Sequence, residues 1–250
     1  MLPVANSRAL RSALAFLTTL PIPSGDLDPA DFAGAGRWFA LVGVVIGALL
    51  VAVAWLATQF WPRDLAAAVV VAAWVALTGG LHLDGALDSF DALAAAVPPA
   101  RRLEILKDVH AGTFAVVGAV LLLLLKWAAV AALIDSRPVG LLLPPVAGRA
   151  AMAWAQRRWP YARAQGLGTL LPPVPGALLL NGLPLLLVAL ALGPRGLLSV
   201  AVALVLAHGV ASWIAGRLGG GLTGDSYGAI CELTELSVLL ALTVRLGVAA

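Results

Sequence analysis

Between Trp38 and Trp61 the chain runs without one charged residue; the stretches 65–83 and 196–215 repeat the pattern, and 114–134 repeats it with Lys126 as its one charge. A helix needs roughly 20 consecutive apolar residues to cross a bilayer. Inside lipid every backbone N–H and C=O must be satisfied within the segment or by neighbouring protein, which leaves helices or closed barrels. Runs of this length, without strict alternation of polar and apolar residues, select helices. The composition agrees, with 61% hydrophobic and 12% charged residues against about 45–50% and 25% in soluble domains. Weaker apolar segments at 139–156, 170–192 and 229–246 are broken by Pro144, Pro145 and Arg149, by Pro172, Pro173, Pro175 and Pro184, and by Glu232 and Glu235. The expectation is an all-α, polytopic membrane helix bundle of about seven spans, some irregular, forming one domain over residues 1–250. Residues 7–20 predict a short interfacial helix ended by "PIP", and the short run "ALAFL" is too weak for a cleaved signal peptide. The single cysteine, Cys231, excludes an internal disulfide.

Basic residues orient such a bundle, because Lys and Arg collect on the cytoplasmic side. With seven spans and the N-terminus inside, the inner segments hold Arg8, Arg11, Arg37, Arg101, Arg102, Lys107, Arg157, Arg158, Arg163 and Arg217. The outer ones hold Arg63, Arg137, Arg195 and Arg245, a ratio of ten to four. The same topology puts every acidic residue except Asp64 and Asp135 on or near the cytoplasmic face. The positive-inside rule does not ask acids to segregate, so a site on that face is the expected cause. A net charge of +3 then reflects loop cations and implies no nucleic-acid partner.

The acids form two sets. In "GGLHLDGALDSFDAL" (79–93) Asp84, Asp88 and Asp91 stand at i, i+4 and i+7, within about 60° of one another on a helix. Like charges so spaced repel; a hard divalent cation rewards them, since Mg²⁺ takes one or two carboxylates plus substrate phosphates. The competing reading is an acidic cap at a helix end. In "GGGLTGDSYGAICELTEL" (219–236) Asp225, Glu232 and Glu235 again share roughly one face, beside a glycine loop able to approach an anion. Ionisable groups within a span usually mark function. The basic candidates are Lys107, Arg149, Arg157, Arg158, Arg163 and Arg217, with Arg149 expected to bind phosphate rather than snorkel. Lys126, in mid-span, is expected to pair with a carboxylate, and His208 reads as a packed interior histidine. Asp108 and His110 are second-tier candidates. Acids for metal and bases for phosphate at a membrane face point to phosphoryl or phosphodiester transfer.

The blocks "GGLHLDGALDSFDAL", "LEILKDVHAGTFAVVG", "GRAAMA", "RRWPYARAQGLG" and "GGLTGDSYGAICELTELSVLL" stand in the order found in cobalamin (5′-phosphate) synthases. The chain resembles that family over about residues 8 to 242, with Val109 and Ala40 where the family often has serine and proline. The resemblance implies an adenosylcobinamide-GDP ribazoletransferase. Its substrates are adenosylcobinamide-GDP and α-ribazole or its 5′-phosphate; GMP is released and Mg²⁺ is required. It implies catalytic roles for Asp84, Asp88, Asp91, Asp225, Glu232 and Glu235, of which Asp84, Asp88, Asp91 and Asp225 hold metal. It implies substrate contacts from His82, Lys107, Asp108, Arg149, Arg163, Arg217, Thr223 and Gly224, with Gly85, Gly112, Gly166, Gly168, Gly220 and Gly228 shaping the loops. The implied location is the bacterial inner membrane, site on the cytoplasmic face, in contact with the lipid bilayer; a homo-oligomer is compatible with the sequence. The alternatives are a secondary transporter, which also uses intramembrane carboxylates, and an enzyme like the CDP-alcohol phosphotransferases, whose aspartate-rich motif the first block resembles in chemistry.

Overall fold

Every regular element among the described residues (4–23, 29–164, 166–172 and 174–244) of the computed structural model is a helix, apart from one isolated bridge between Tyr161 and Leu222. Four helices are long and apolar enough to cross a membrane: α3 (Phe39–Phe60, continuing a 3₁₀ turn at Ala35–Trp38), α7 (Thr113–Ile134), α10 (Gly193–Arg217) and α11 (Gly224–Thr243). A fifth is counted if α4 (Arg63–Thr78) and α5 (Leu81–Ala94) are taken together, but they meet at 91°. Gly79 and Gly80 make that corner, at φ 60° and 69°, a left-handed conformation that side chains with a Cβ resist. Residues 65–83 are therefore not one straight span. α4 ends at Thr78, and α5 leaves the bundle direction to lie across its end.

The count of seven is not reached, and proline explains part of the shortfall. Pro144 and Pro145 fall in the first turn of α8 (Leu143–Arg158), where proline is tolerated, behind a 3₁₀ turn at Pro138–Leu142. Pro172 and Pro175 precede α9 (Ala177–Ala191) instead of lying inside it. These helices have 16 and 15 residues, about 22–24 Å at 1.5 Å per residue, less than the ~30 Å hydrocarbon core. The predicted N-terminal helix is present as α1 (Val4–Leu17). Short α2 (Pro29–Ala33) and α6 (Pro99–Ile105) complete the set. Arg245 and the last residues of the predicted 229–246 span lie outside the described residues.

α11 is the central helix, packed on α5, α7, α8 and α10, and most enclosed of the four spans. The outer helices turn leucine and valine outward, as on α7 (Val117, Leu121, Leu124) and α9 (Leu179, Leu183, Leu187), the face expected towards lipid. Tryptophans Trp61 and Trp213 are exposed near helix ends, as interfacial anchors are. α5 packs on α11, on α7 and on the end of α4, and the loop after α8 pairs with the loop before α11 through Pro160, Ala162 and Leu222. The chain is a multi-pass membrane protein.

Candidate active site

The two acidic blocks, far apart in sequence, meet where α5 crosses the first turns of α11. The crossing depends on glycine from both sides. A Cβ on Gly85 would stand 2.9 Å from Asp225 Cα, and one on Gly228 would stand 2.7 Å from the His82 carbonyl oxygen. With both absent the backbones touch, and Asp84 and Asp225 come to line one pocket of about 140 Å³ with His82, Gln156, Gly224 and Tyr227. Thr223 caps α11, exchanging hydrogen bonds with Ser226, and its hydroxyl lies 3.3 Å from Asp225 Oδ2. Asp225 also accepts from Arg163 at 2.8 Å, and the same guanidinium donates to the Leu106 carbonyl at 3.0 Å. Arg163 thus ties the loop after α6 to the head of α11.

The carboxylates of Asp84 and Asp88 accept no hydrogen bond among the described residues. Burial, then the charges of Asp84, Asp225 and Asp91, push the Asp88 carboxyl up to about 6, against a smaller opposing pull from Arg163. Asp91 differs. Its two oxygens accept from the Gly112 and Ala115 amides at 2.6 and 2.9 Å, so it caps the start of α7 from a neighbouring helix.

Glu232, Glu235 and Arg149 line none of that pocket. Lys126 Nζ donates to Glu232 and Glu235, 2.6 Å each, and lies 4.4 Å from the centre of the Trp74 ring. Arg149 donates to the other oxygen of Glu235 and stands 3.2 Å from His82 Nδ1. All four charged side chains are buried, Arg149 and Glu235 completely, and they sum to zero. The sequence reading places Glu232 and Glu235 in catalysis and Arg149 on phosphate; the structure gives each a charged partner inside the bundle. It also supplies the carboxylate pairing expected of Lys126, twice over. Because arginine can only donate, His82 Nδ1 accepts, which puts the ring proton on Nε2; that atom is buried without a partner.

The remaining candidates sit around the pocket. Lys107 and Asp108 are exposed after α6. Asp108 accepts from the His110 amide at 3.0 Å and lies 2.7 Å from its Nδ1, and these bonds hold its carboxyl below the usual range. Arg217 packs on Trp213 at 5.2 Å. His208 packs at a tilt against Trp154 and Trp159, ring centres 5.6 and 5.9 Å away, yet is exposed rather than interior. Gln156, Tyr161 and Tyr227 were missed. The two tyrosine rings stack at 6.5 Å, and their only signal in the sequence is a place inside the "WPYAR" and "GDSYG" blocks.

The donor set suits a hard cation: oxygen ligands only, two of them unpartnered, with crowded negative charge. Among the described residues no three His, Cys, Asp or Glu form a ready metal cage.

The chain is 42% identical over 237 residues to the adenosylcobinamide-GDP ribazoletransferase of Thermosynechococcus vestitus, covering 93% of this chain and 94% of the relative. It is 42% identical over 245 residues to that of Pseudomonas aeruginosa (95% and 98%) and 41% over 234 residues to that of Deinococcus radiodurans (93% and 84%). No solved structure matches. With residues 9–243 matching the family model for cobalamin-5-phosphate synthase, the chain belongs to that family, enzymes of cobalamin synthesis.

Proposed function

We propose that the protein joins adenosylcobinamide-GDP to α-ribazole or its 5′-phosphate at the cytoplasmic face of the bacterial inner membrane, in a Mg²⁺-dependent reaction. The observation that carries this reading is the meeting of Asp84, Asp88 and Asp225 in and beside one open pocket at a single end of the bundle. The activity for which the relatives are named supplies the substrates. In the reaction the ribose 3′-hydroxyl oxygen bonds to the phosphorus next to cobinamide. The bond from that phosphorus to the bridging oxygen breaks, GMP leaves with that oxygen, and the hydroxyl proton passes to a carboxylate oxygen lining the pocket.

Asp84 and Asp88, with Asp225, would hold Mg²⁺, which when bound supplies positive charge to the diphosphate. Arg163 fixes Asp225 in direction. The buried His82, its Nε2–H unpartnered at the pocket wall, offers a neutral donor to a phosphate oxygen. Arg102, bonded to the Ala95 and Arg217 carbonyls at 2.9 and 3.4 Å, holds the loops flanking the site together. Lys107, Arg157, Arg158, Arg163 and Arg217, at the helix ends and loops around the pocket, support the cytoplasmic assignment by the positive-inside rule.

The test is direct. Purified protein given adenosylcobinamide-GDP and α-ribazole 5′-phosphate should release GMP with Mg²⁺ and not after chelation. No GMP at any metal concentration refutes the activity, and undiminished release in chelator refutes the metal.

A further inference from the structure

A second recess, of about 380 Å³, opens beside the carboxylate pocket and shares Gln156, Gly168, Leu171 and Tyr227 with it. It falls within the range of small-molecule sites, about 300–1,000 Å³, whereas the acidic pocket is below it. Its character is opposite. Arg157 and Arg158 stand on its rim, exposed and without a carboxylate partner among the described residues. Trp159, Tyr161 and Tyr227 supply aromatic walls. Those walls are fixed: Leu222 N donates to the Pro160 carbonyl at 2.9 Å and Ala162 N to the Leu222 carbonyl at 2.7 Å. Gly168 makes room for the Tyr161 ring, which a Cβ there would meet at 2.2 Å.

We propose that this recess binds the acceptor as an aromatic ribonucleoside phosphomonoester, its phosphate on Arg157 and Arg158 and its base against the tyrosine and tryptophan rings. The inference rests on the reaction proposed above and deepens it. Attack requires the acceptor hydroxyl within about 3–3.5 Å of phosphorus, so the acceptor's site must share a wall with the donor's, and this one does. A phosphomonoester carries about −1.5 to −2 charge at pH 7 and is repelled by Asp84, Asp88 and Asp225. Arg163 next to the site is already paired with Asp225. The arginine rim offers cations without such a partner among the described residues, and the planar guanidinium fork suits the phosphate oxygens. Two arginines ending α8 also satisfy the positive-inside rule and attract anionic headgroups; the aromatic, rigid hollow between them and the reacting pocket is what that rule does not require.

The experiment compares acceptors. Steady-state GMP release is measured for wild type, Arg157→Ala/Arg158→Ala and Arg157→Lys/Arg158→Lys, with α-ribazole 5′-phosphate and with unphosphorylated α-ribazole. It is run in detergent, in neutral phosphatidylcholine vesicles and in vesicles with added anionic lipid. The ratio of kcat/KM for phosphorylated over unphosphorylated acceptor should fall at least about tenfold in the alanine variant, the scale of a lost charge-assisted hydrogen bond. It should recover partly in the lysine variant, in all three media. An unchanged ratio overturns the proposal, as does a loss confined to anionic vesicles, which would assign the arginines to headgroups. A raised KM for adenosylcobinamide-GDP alone would assign them to the donor and also overturns it. Wild type inactive on both acceptors refutes the underlying reaction itself, a result separate from any of these.

Discussion

Replacing Lys126 by methionine removes one of the four buried charges while keeping a side chain of similar length. Lys126 is 4% exposed and bonds both Glu232 and Glu235 at 2.6 Å, so Lys126→Met leaves two carboxylates facing Arg149 alone. Breaking a buried ion pair from one side costs about 3–5 kcal/mol, because a charge is left without compensation. At ~2–4 °C per kcal/mol for a chain of this size, the midpoint of thermal unfolding in a fixed detergent should fall by about 6–20 °C. Adding Glu232→Gln removes the surplus negative charge and leaves the Arg149–Glu235 pair whole. The double variant should therefore recover most of the loss, a coupling that separate sites do not show. The same proteins, assayed for GMP release well below their midpoints, divide structure from chemistry. If Glu232 serves only the cluster, the double variant is active. A Lys126→Met protein melting with wild type, or a double variant less stable than the single, refutes the charge-balance argument. A stable but inactive double variant returns Glu232 to catalysis.

Gly85→Ala should destabilise by about 1–3 kcal/mol, the usual cost of overpacking, and should reduce GMP release in the folded fraction because its Cβ meets Asp225 at 2.9 Å; unchanged melting and turnover would refute the close crossing. Asp91→Ala should cost about 0.5–2 kcal/mol as a lost cap, with Asp91→Asn intermediate and no change in the Mg²⁺ concentration for half-maximal rate; a raised Mg²⁺ requirement would make Asp91 a metal ligand. Asp84→Asn, at an exposed and unpartnered position, should fold normally and lose GMP release at low Mg²⁺, and near-normal rate there would move the metal elsewhere. Cysteines placed at 101 and 158 should react with an impermeant maleimide only in inside-out vesicles, over a quiet background because Cys231 is buried; labelling from outside would invert the topology.

Much of the site was legible because it depends on local spacing. Asp84, Gly85 and Asp88 lie on one helix, and the i, i+4 relation of the two acids survives in α5. The helix count was less legible. Apolarity sees residues 65–83 as continuous, whereas two glycines of positive φ turn the chain through 91°, and hydropathy carries no information about direction. Asp91 shares the face of Asp84 by arithmetic, yet its oxygens go to amides 21 and 24 residues away. No pattern within α5 announces that the next helix begins beside it.

The glutamates show the same limit in its sharpest form, and they decide between the enzyme and the carrier. An acid inside a span is by default a functional candidate, and a carrier would place such groups in a midplane pocket open by turns to either side. Here the intramembrane acids are neutralised by cations 106 and 86 residues away in sequence, and they line neither the acidic pocket nor the basic recess. The cavity within the bundle, about 440 Å³ between α8, α9, α10 and α11, is lined by no acid, and Asp84 and Asp88, whose carboxylates lack partners, stand instead on α5. A group whose charge is already cancelled at depth gains little from an incoming ion. Unpaired carboxylates at the surface gain much from a cation that arrives on a diphosphate. The buried set serves the exposed one through His82, which Arg149 holds by Nδ1 at 3.2 Å, so that charge spent deep in the membrane fixes the direction of a donor at its face.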